Sequence, residues 1–354
     1  MNRLLCLLVG SLFVVGCGSS SEPDDGGAGG TGSGGEPASG GNGQGGGEGG
    51  TPNNNPSFTV TFDPITVAPG EENTQCVVKK LGNDAAIKVN EIHNVLPQGS
   101  HHLIVYRTAD TEEKLEPYDC QPFADTLDPT KGSPLMVTQK HDETLTLPSG
   151  VAFSLDANVM VRLEMHYINP TTEPLDIGAT STFYTMPEAD FENEADFLFL
   201  GNPDISIPPN QSFTLGPTFL KLPADLEGSN IFGITGHTHQ FGTNVTVALA
   251  PTEAEGSDTM VYDVDGWKWD EPATVYLDPP TVLPQGGGFR FTCDWNNTSA
   301  ETVGFGESAN DEMCFFWAYY YPSKGAKVCA HTDQVPGGFD LCCPGNDLCN
   351  QIFN

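Results

Sequence analysis

Val159-Met160-Val161-Arg162-Leu163-Glu164-Met165-His166-Tyr167 carries an apolar side chain at every odd position, with Arg162, Glu164 and His166 between them. Successive side chains of a strand point to opposite faces. The segment therefore reads as a β-strand with one face in a core and the other offering His166 to a metal or to solvent. Stretches of the same kind recur at Phe58-Thr59-Val60-Thr61-Phe62, Leu103-Ile104-Val105-Tyr106 and Val245-Thr246-Val247-Ala248-Leu249. Pro, Gly, Asn and Asp punctuate them at short intervals, and no long stretch has helical period, which is the pattern of antiparallel sandwiches or barrels. The expected fold is all-β. Two consecutive antiparallel, jelly-roll-like β-sandwich domains cover residues 57–187 and 188–325, joined in the acidic, proline-bearing stretch from Met186 to Asp196. A small disulfide-rich tail follows over residues 326–354.

The segment ahead of this body has a different composition. Residues 1–17 hold Arg3, an apolar run from Leu4 to Val15 and then Gly16-Cys17, the make-up of an export signal. Val14-Val15-Gly16-Cys17 is similar to the lipobox of bacterial lipoproteins, which implies that Cys17 becomes the lipid-bearing N-terminus. Residues 18–56 contain 16 glycines in 39 positions and no aromatic residue. Such a segment buries too little apolar surface to offset chain entropy, so it reads as a flexible tether. Its reach is on the order of 35 Å by random-coil scaling. No second apolar stretch is long enough to span a bilayer, so the membrane is met through the lipid anchor alone. Gly18 and Ser19 in place of an aspartate point to the outer membrane of a bacterial cell envelope.

The net charge is −33, and from Ser57 onward 13 basic side chains stand against 42 acidic ones. Phosphate contacts need clustered Lys and Arg, so nucleic acid is excluded as a partner. Of the ten cysteines, Cys6 leaves with the signal and Cys17 takes the lipid. The remaining eight, Cys76, Cys120, Cys293, Cys314, Cys329, Cys342, Cys343 and Cys349, read as a disulfide set in an exported chain. A thiolate zinc or copper centre in the tail is the alternative, and the connectivity stays open.

The histidines carry the chemistry. His237-Thr238-His239 can aim two imidazoles at one ion from alternate strand positions. His101-His102 opens the run Leu103 to Tyr106, and because adjacent residues on a regular strand point oppositely, a metal shared by that pair requires a bulge or a strand end. Imidazole suits copper, zinc, iron and nickel, whereas the thioether of Met313 favours Cu(I). His93 lies near enough in sequence to the His101 strand to serve as a substitute ligand, although a surface role is favoured for it. His141 and His331 sit in polar, loop-like surroundings and read as surface residues.

Ser100-His101-His102-Leu103, Glu164-Met165-His166-Tyr167, Gly236-His237-Thr238-His239 and Asp311-Glu312-Met313-Cys314 occur in that order. Together, over about residues 57–323, they resemble the copper type II, ascorbate-dependent monooxygenases. Tyr319-Tyr320-Tyr321-Pro322 adds to the likeness with the dopamine β-monooxygenase branch. The resemblance implies an electron-transfer copper on His101, His102 and His166, and an oxygen-activating copper on His237, His239 and Met313, the catalytic set. The two coppers would face one another across an open, solvent-filled cleft, one per domain. It also implies disulfides Cys76–Cys120 and Cys293–Cys314, ascorbate or a similar electron donor, and a small-molecule substrate hydroxylated with O2.

Departures from the family limit the substrate. The arginine that clamps a carboxylate in the peptide-amidating branch is replaced by Thr235, which removes a bidentate fork. Phe315 and Trp317 stand where that branch carries Asn and Tyr, and their shared parity suits either an apolar pocket or the core. Glu164 reads as an ordinary exposed carboxylate. The expected function is thus a copper-dependent monooxygenase of a small organic substrate. The alternative is a non-catalytic extracytoplasmic copper-binding lipoprotein. A zinc hydrolase is disfavoured by Met313, a poor zinc ligand.

Overall fold

Twenty-three β-strands and two single 3-10 turns (Glu188–Asp190 and Ala224–Leu226) account for the regular structure of the computed structural model, which describes residues 55–120, 132–306, 308–344 and 349. The export signal, Cys17 and the glycine-rich tether lie outside the described residues. Ten strands build the first half: β1 (Ser57–Val67), β2 (Glu72–Lys80), β3 (Ile87–Val95), β4 (Ser100–Thr108), β5 (Lys114–Asp119), β6 (Gly132–Thr138), β7 (Asp142–Thr146), β8 (Val151–Leu155), β9 (Met160–Ile168) and β10 (Leu175–Met186). After β10 the short β11 (Asn193–Glu194) turns back to pair in parallel with β8. The second half contains β12 (Asp196–Gly201), β13 (Ser206–Ile207), β14 (Gln211–Lys221), β15 (Asn230–His237), β16 (Gly242–Ala250), β17 (Thr259–Asp263), β18 (Val275–Val282), β19 (Gly288–Asn297), β20 (Val303–Gly304) and β21 (Phe315–Tyr321). Two tail strands, β22 (Lys327–Thr332) and β23 (Phe339–Cys343), complete the order.

The sheets form two sandwiches. In the first, a sheet ordered β1-β10-β3-β8-β11, with β7 also on β3, faces a sheet ordered β5-β2-β9-β4-β6. In the second, β18-β15-β21-β12-β22-β23 faces β14-β19-β16-β17, while β13 and β20 form a small ladder of their own. The tail is part of this architecture: β22 pairs in parallel with β12 and antiparallel with β23, so it extends a sheet. Cys329–Cys342 staples that hairpin and Cys343–Cys349 ties the segment beyond it. Among the described residues no helix is long and apolar enough to cross a membrane.

Period-two patterning explains how the sandwiches meet. In β12, Leu198 and Leu200 belong to the interior of the second sandwich, whereas Phe197 and Phe199 belong to a cluster shared with the first. β21 repeats the division, with Phe316, Ala318 and Tyr320 inward and Phe315, Trp317 and Tyr319 toward the shared cluster. A sheet buried on both faces reads as a near-continuous apolar run, and these two strands do, apart from Asp196 at the start of β12. Phe315 and Trp317 are therefore core residues rather than the lining of a pocket.

β9 departs from its expected half-exposure, being buried on both faces along most of its length. Glu164, read from sequence as an exposed carboxylate, is fully buried. Cys76 lies opposite Glu164 in the β2–β9 register, and the Cys76–Cys120 disulfide covers that face. Arg162 lies 3.9 Å from Glu164 and over the ring of Tyr106. Alternation locates the core face of a strand, but it does not reveal a disulfide loop folded over the other.

Candidate metal centre

His101, His102 and His166 come together where β4 and β9 pair. Ser100 stands opposite Tyr167 and His102 opposite His166, so the ladder slips by one residue at His101. This bulge stands where two adjacent histidines need one to turn toward the same point. The three ring centroids lie 5.4, 5.2 and 4.9 Å apart. His166 donates from Nε2 to Glu72 Oε1 at 3.0 Å, which leaves its Nδ1 as the nitrogen for a ligand. Nε2 of His101 is buried and has no hydrogen-bond partner among the described residues.

The second set forms where β15 ends. His237 pairs with Phe315 across β15–β21, and His239 and Met313 each lie two residues beyond that last pair. The His237 and His239 rings lie 5.1 Å apart, and Met313 is buried. Gly236 lets the strand approach its neighbours, since a Cβ there would lie 2.8 Å from Val245 and 2.9 Å from Tyr262. The Cys293–Cys314 disulfide joins β19 to the residue beside Met313. Glu312, also fully buried, holds the three segments together. Its Oε2 accepts from His239 N (2.8 Å), Trp295 Nε1 (2.7 Å) and Met313 N (3.3 Å), and its Oε1 from Phe241 N (2.7 Å). Burial pushes its pKa up to about 7, while those donors hold it down.

Hydrogen bonds to Nδ1 select which ring nitrogen carries the proton. His237 Nδ1 lies 3.1 Å from Gln139 Oε1, and His239 Nδ1 lies 3.2 Å from the Asp311 carbonyl. Both partners can only accept, so each Nδ1 carries the proton and each Nε2 the lone pair. Burial drives His101 down to about 3 and His239 to about 4, and takes His102 and His237 well below the ordinary histidine range. The neighbouring imidazoles reinforce the shift: His166 and His239 act on His101, and His166, His101, His237 and His239 on His102. Neutral imidazole is the form that ligates metal. Among the described residues only Cys76, Cys120 and Glu164 bring three potential ligand atoms within 4.8 Å of one another, and their sulfurs are bonded as a disulfide.

An open cleft between the sets is not what the structure contains. All five histidines and Met313 are less than one-tenth exposed, and the shared apolar cluster closes the boundary between the sandwiches. A cavity of about 440 Å³ remains on one side, with His101, Gln139, Gln240 and Trp269 in its wall and Asp270 and Glu271 among its lining. Trp269, from the β17–β18 loop of the second sandwich, lies 5.4 Å from His101 of the first, ring to ring.

The other histidines lie elsewhere. His93, for which the sequence allows a substitute-ligand role as the alternative to a surface one, sits on the opposite sheet of the first sandwich and pairs with Asp142 at 3.0 Å. His141 donates to the Leu96 carbonyl and lines the cavity. His331 is clamped between Asp340 (2.7 Å) and Asp333 (3.3 Å), which raises its pKa, the Asp340 bond first. Thr235 bonds to Thr274 at 2.8 Å. Sequence reading passed over Glu72, Gln139, Glu312 and Trp269 as parts of the site. Only Glu312 lay inside a quoted motif, and nothing in local sequence marks the rest.

Residues 193–336 match the family described as copper type II ascorbate-dependent monooxygenase, C-terminal domain. Among solved structures, the chain is similar to PNGase F, a glycosylasparaginase from Flavobacterium meningosepticum. The identity is 12% and the TM-score 0.31, over 80% of this chain and 99% of that one. It is also similar to a structure of infectious bursal disease virus, Gx strain, at 8% identity and a TM-score of 0.20, over 77% of this chain and 72% of that one.

Proposed function

We propose, from the match of residues 193–336 to the C-terminal domain of the copper type II ascorbate-dependent monooxygenases, that this chain is a copper monooxygenase that hydroxylates a C–H bond of a small organic substrate. His101, His102 and His166 would hold one copper, and His237, His239 and Met313 the second. The observation that carries this reading is the state of the imidazoles: buried, neutral, and bonded through Nδ1 to Gln139 on His237 and to Asp311 on His239, so that Nε2 carries the lone pair on both. The donor chemistry fits copper, with three imidazoles in one set and two imidazoles with a soft thioether in the other. Bound there, copper would supply the one-electron chemistry by which O2 gives one atom to the substrate and one to water, with two electrons from an ascorbate-like donor.

The protein's own residues supply the rest. Glu72 accepts the far proton of His166 and Gln139 that of His237, fixing ring orientation as outer partners of metal-binding histidines do. Glu312 and the Cys293–Cys314 bond hold Met313 beside the His237-Thr238-His239 segment. The shared apolar cluster keeps bulk water away, and the cavity beside His101 and Trp269 is the approach for small molecules. Thr235, buried and bonded to Thr274, offers no cationic clamp for a carboxylate, which disfavours peptidylglycine as substrate. Oxygen uptake by the copper-loaded protein with ascorbate, across a panel of small substrates, tests the activity. Uptake matched by a hydroxylated product supports it. Stoichiometric copper binding without product from any substrate would favour the non-catalytic copper-binding alternative.

The export signal and Cys17 support lipid anchorage to the bacterial cell envelope, at the outer membrane. Metabolic palmitate labelling of the wild type, lost in Cys17→Ser, is the expected result, and an unlabelled wild type contradicts it.

A further inference from the structure

We propose that Gln139, a residue of the first sandwich, is the positioning residue that sets the tautomer of His237 in the second, so that the second ligand set is completed only by the other sandwich. This rests on the reading of His237 as a metal ligand. Gln139 is the first residue beyond β6 and is itself buried. Its Oε1 has no proton to give, so the 3.1 Å contact with Nδ1 makes His237 the donor and leaves the lone pair on Nε2.

The backbone that carries Gln139 is docked onto the second sandwich at several independent points. Val137 N donates to the Tyr319 hydroxyl at 3.3 Å. Thr274 donates to Glu143 at 2.9 Å and is itself bonded to Thr235, two residues before His237 on the same strand. The Tyr276 hydroxyl donates to the Thr144 carbonyl at 2.8 Å. On its own side, Asn94 donates to Thr138 at 2.8 Å, and the Gln139 backbone N–H donates to the Glu143 carboxylate. The connection from Val137 to Thr144, which leaves β6 and enters β7 on the facing sheet, is thus a latch, and Gln139 is the point where it touches a ligand ring. Removing an outer partner of a metal-binding histidine costs roughly 10- to 100-fold in affinity, and here that loss should fall on one set alone.

The test compares the wild type with Gln139→Leu, which removes the acceptor at similar size, and Gln139→Glu, which keeps an accepting oxygen. In metal-free protein labelled with 15N-histidine, the His237 resonance, assigned by its absence in His237→Asn, should report the Nδ1–H tautomer in the wild type. It should shift in Gln139→Leu and return in Gln139→Glu. Titration with Cu(II) should then show the second set weakened by about 10- to 100-fold in Gln139→Leu and the first set unchanged. An Nε2–H tautomer in the wild type, a tautomer indifferent to Gln139→Leu, or equal weakening of both sets overturns the proposal. If Gln139→Leu does not fold, the wild-type tautomer and Gln139→Glu still decide it. A wild type that binds no copper refutes the proposed function, while the metal-free tautomer experiment still judges Gln139.

Discussion

Glu312→Gln is the substitution whose cost follows most directly from the geometry. The carboxylate takes three N–H groups on Oε2 and one on Oε1, all buried. A glutamine keeps the most by placing its carbonyl at the Oε2 position. Its amide group then faces the Phe241 N–H, donor against donor. One bond is lost, one buried donor is left unmet, and the three remaining bonds lose their charge-assisted character. An unmet buried donor costs about 1–3 kcal/mol, so Glu312→Gln should cost about 2 kcal/mol. Glu312→Leu leaves all four donors unmet and should cost at least about 4 kcal/mol. At about 2–4 °C per kcal/mol for a protein of this size, the glutamine variant should melt roughly 4–8 °C lower. Urea unfolding followed by tryptophan fluorescence reads both, since Trp295 is one of the four donors. A glutamine variant within about 0.5 kcal/mol of the wild type, or a leucine variant no worse than glutamine, refutes the assignment of Glu312 as the clamp of these segments.

Two further outcomes are expected. His331, with its folded pKa raised chiefly by Asp340, contributes stability that is complete below its unfolded value and is lost as pH rises through the folded one. The wild type should therefore exceed His331→Asn in urea unfolding at pH 6, and the gap should narrow by pH 9; a gap independent of pH contradicts this. Replacing both Cys293 and Cys314 by alanine opens a loop with a sequence separation of 21 and should cost about 3 kcal/mol by loop-closure entropy. Unchanged unfolding midpoints would show that the bond only decorates a segment already fixed by Glu312.

The fold and much of the site were legible in the sequence for specific reasons. Alternation in Val159–Tyr167 found a strand, and the need to bring His101 and His102 to one point predicted an irregularity that the ladder shows at His101. Glu164 was misread because the face it occupies is covered by a disulfide from residues far away in sequence. The open cleft implied by resemblance failed because alternate apolar residues of β12 and β21 serve two cores at once, and that closes one sandwich on the other. Gln139 and Glu72 could not be found in advance. Each acts on a histidine 98 or 94 residues away, and only the folded register brings them together.

Copper content after exhaustive dialysis, measured for the wild type, His166→Ala and His237→Ala, tests the central claim most directly. The account predicts two coppers per chain in the wild type and about one in each variant, lost from the first set in one case and from the second in the other. A wild type that retains no copper, or variants that still hold two, would contradict it.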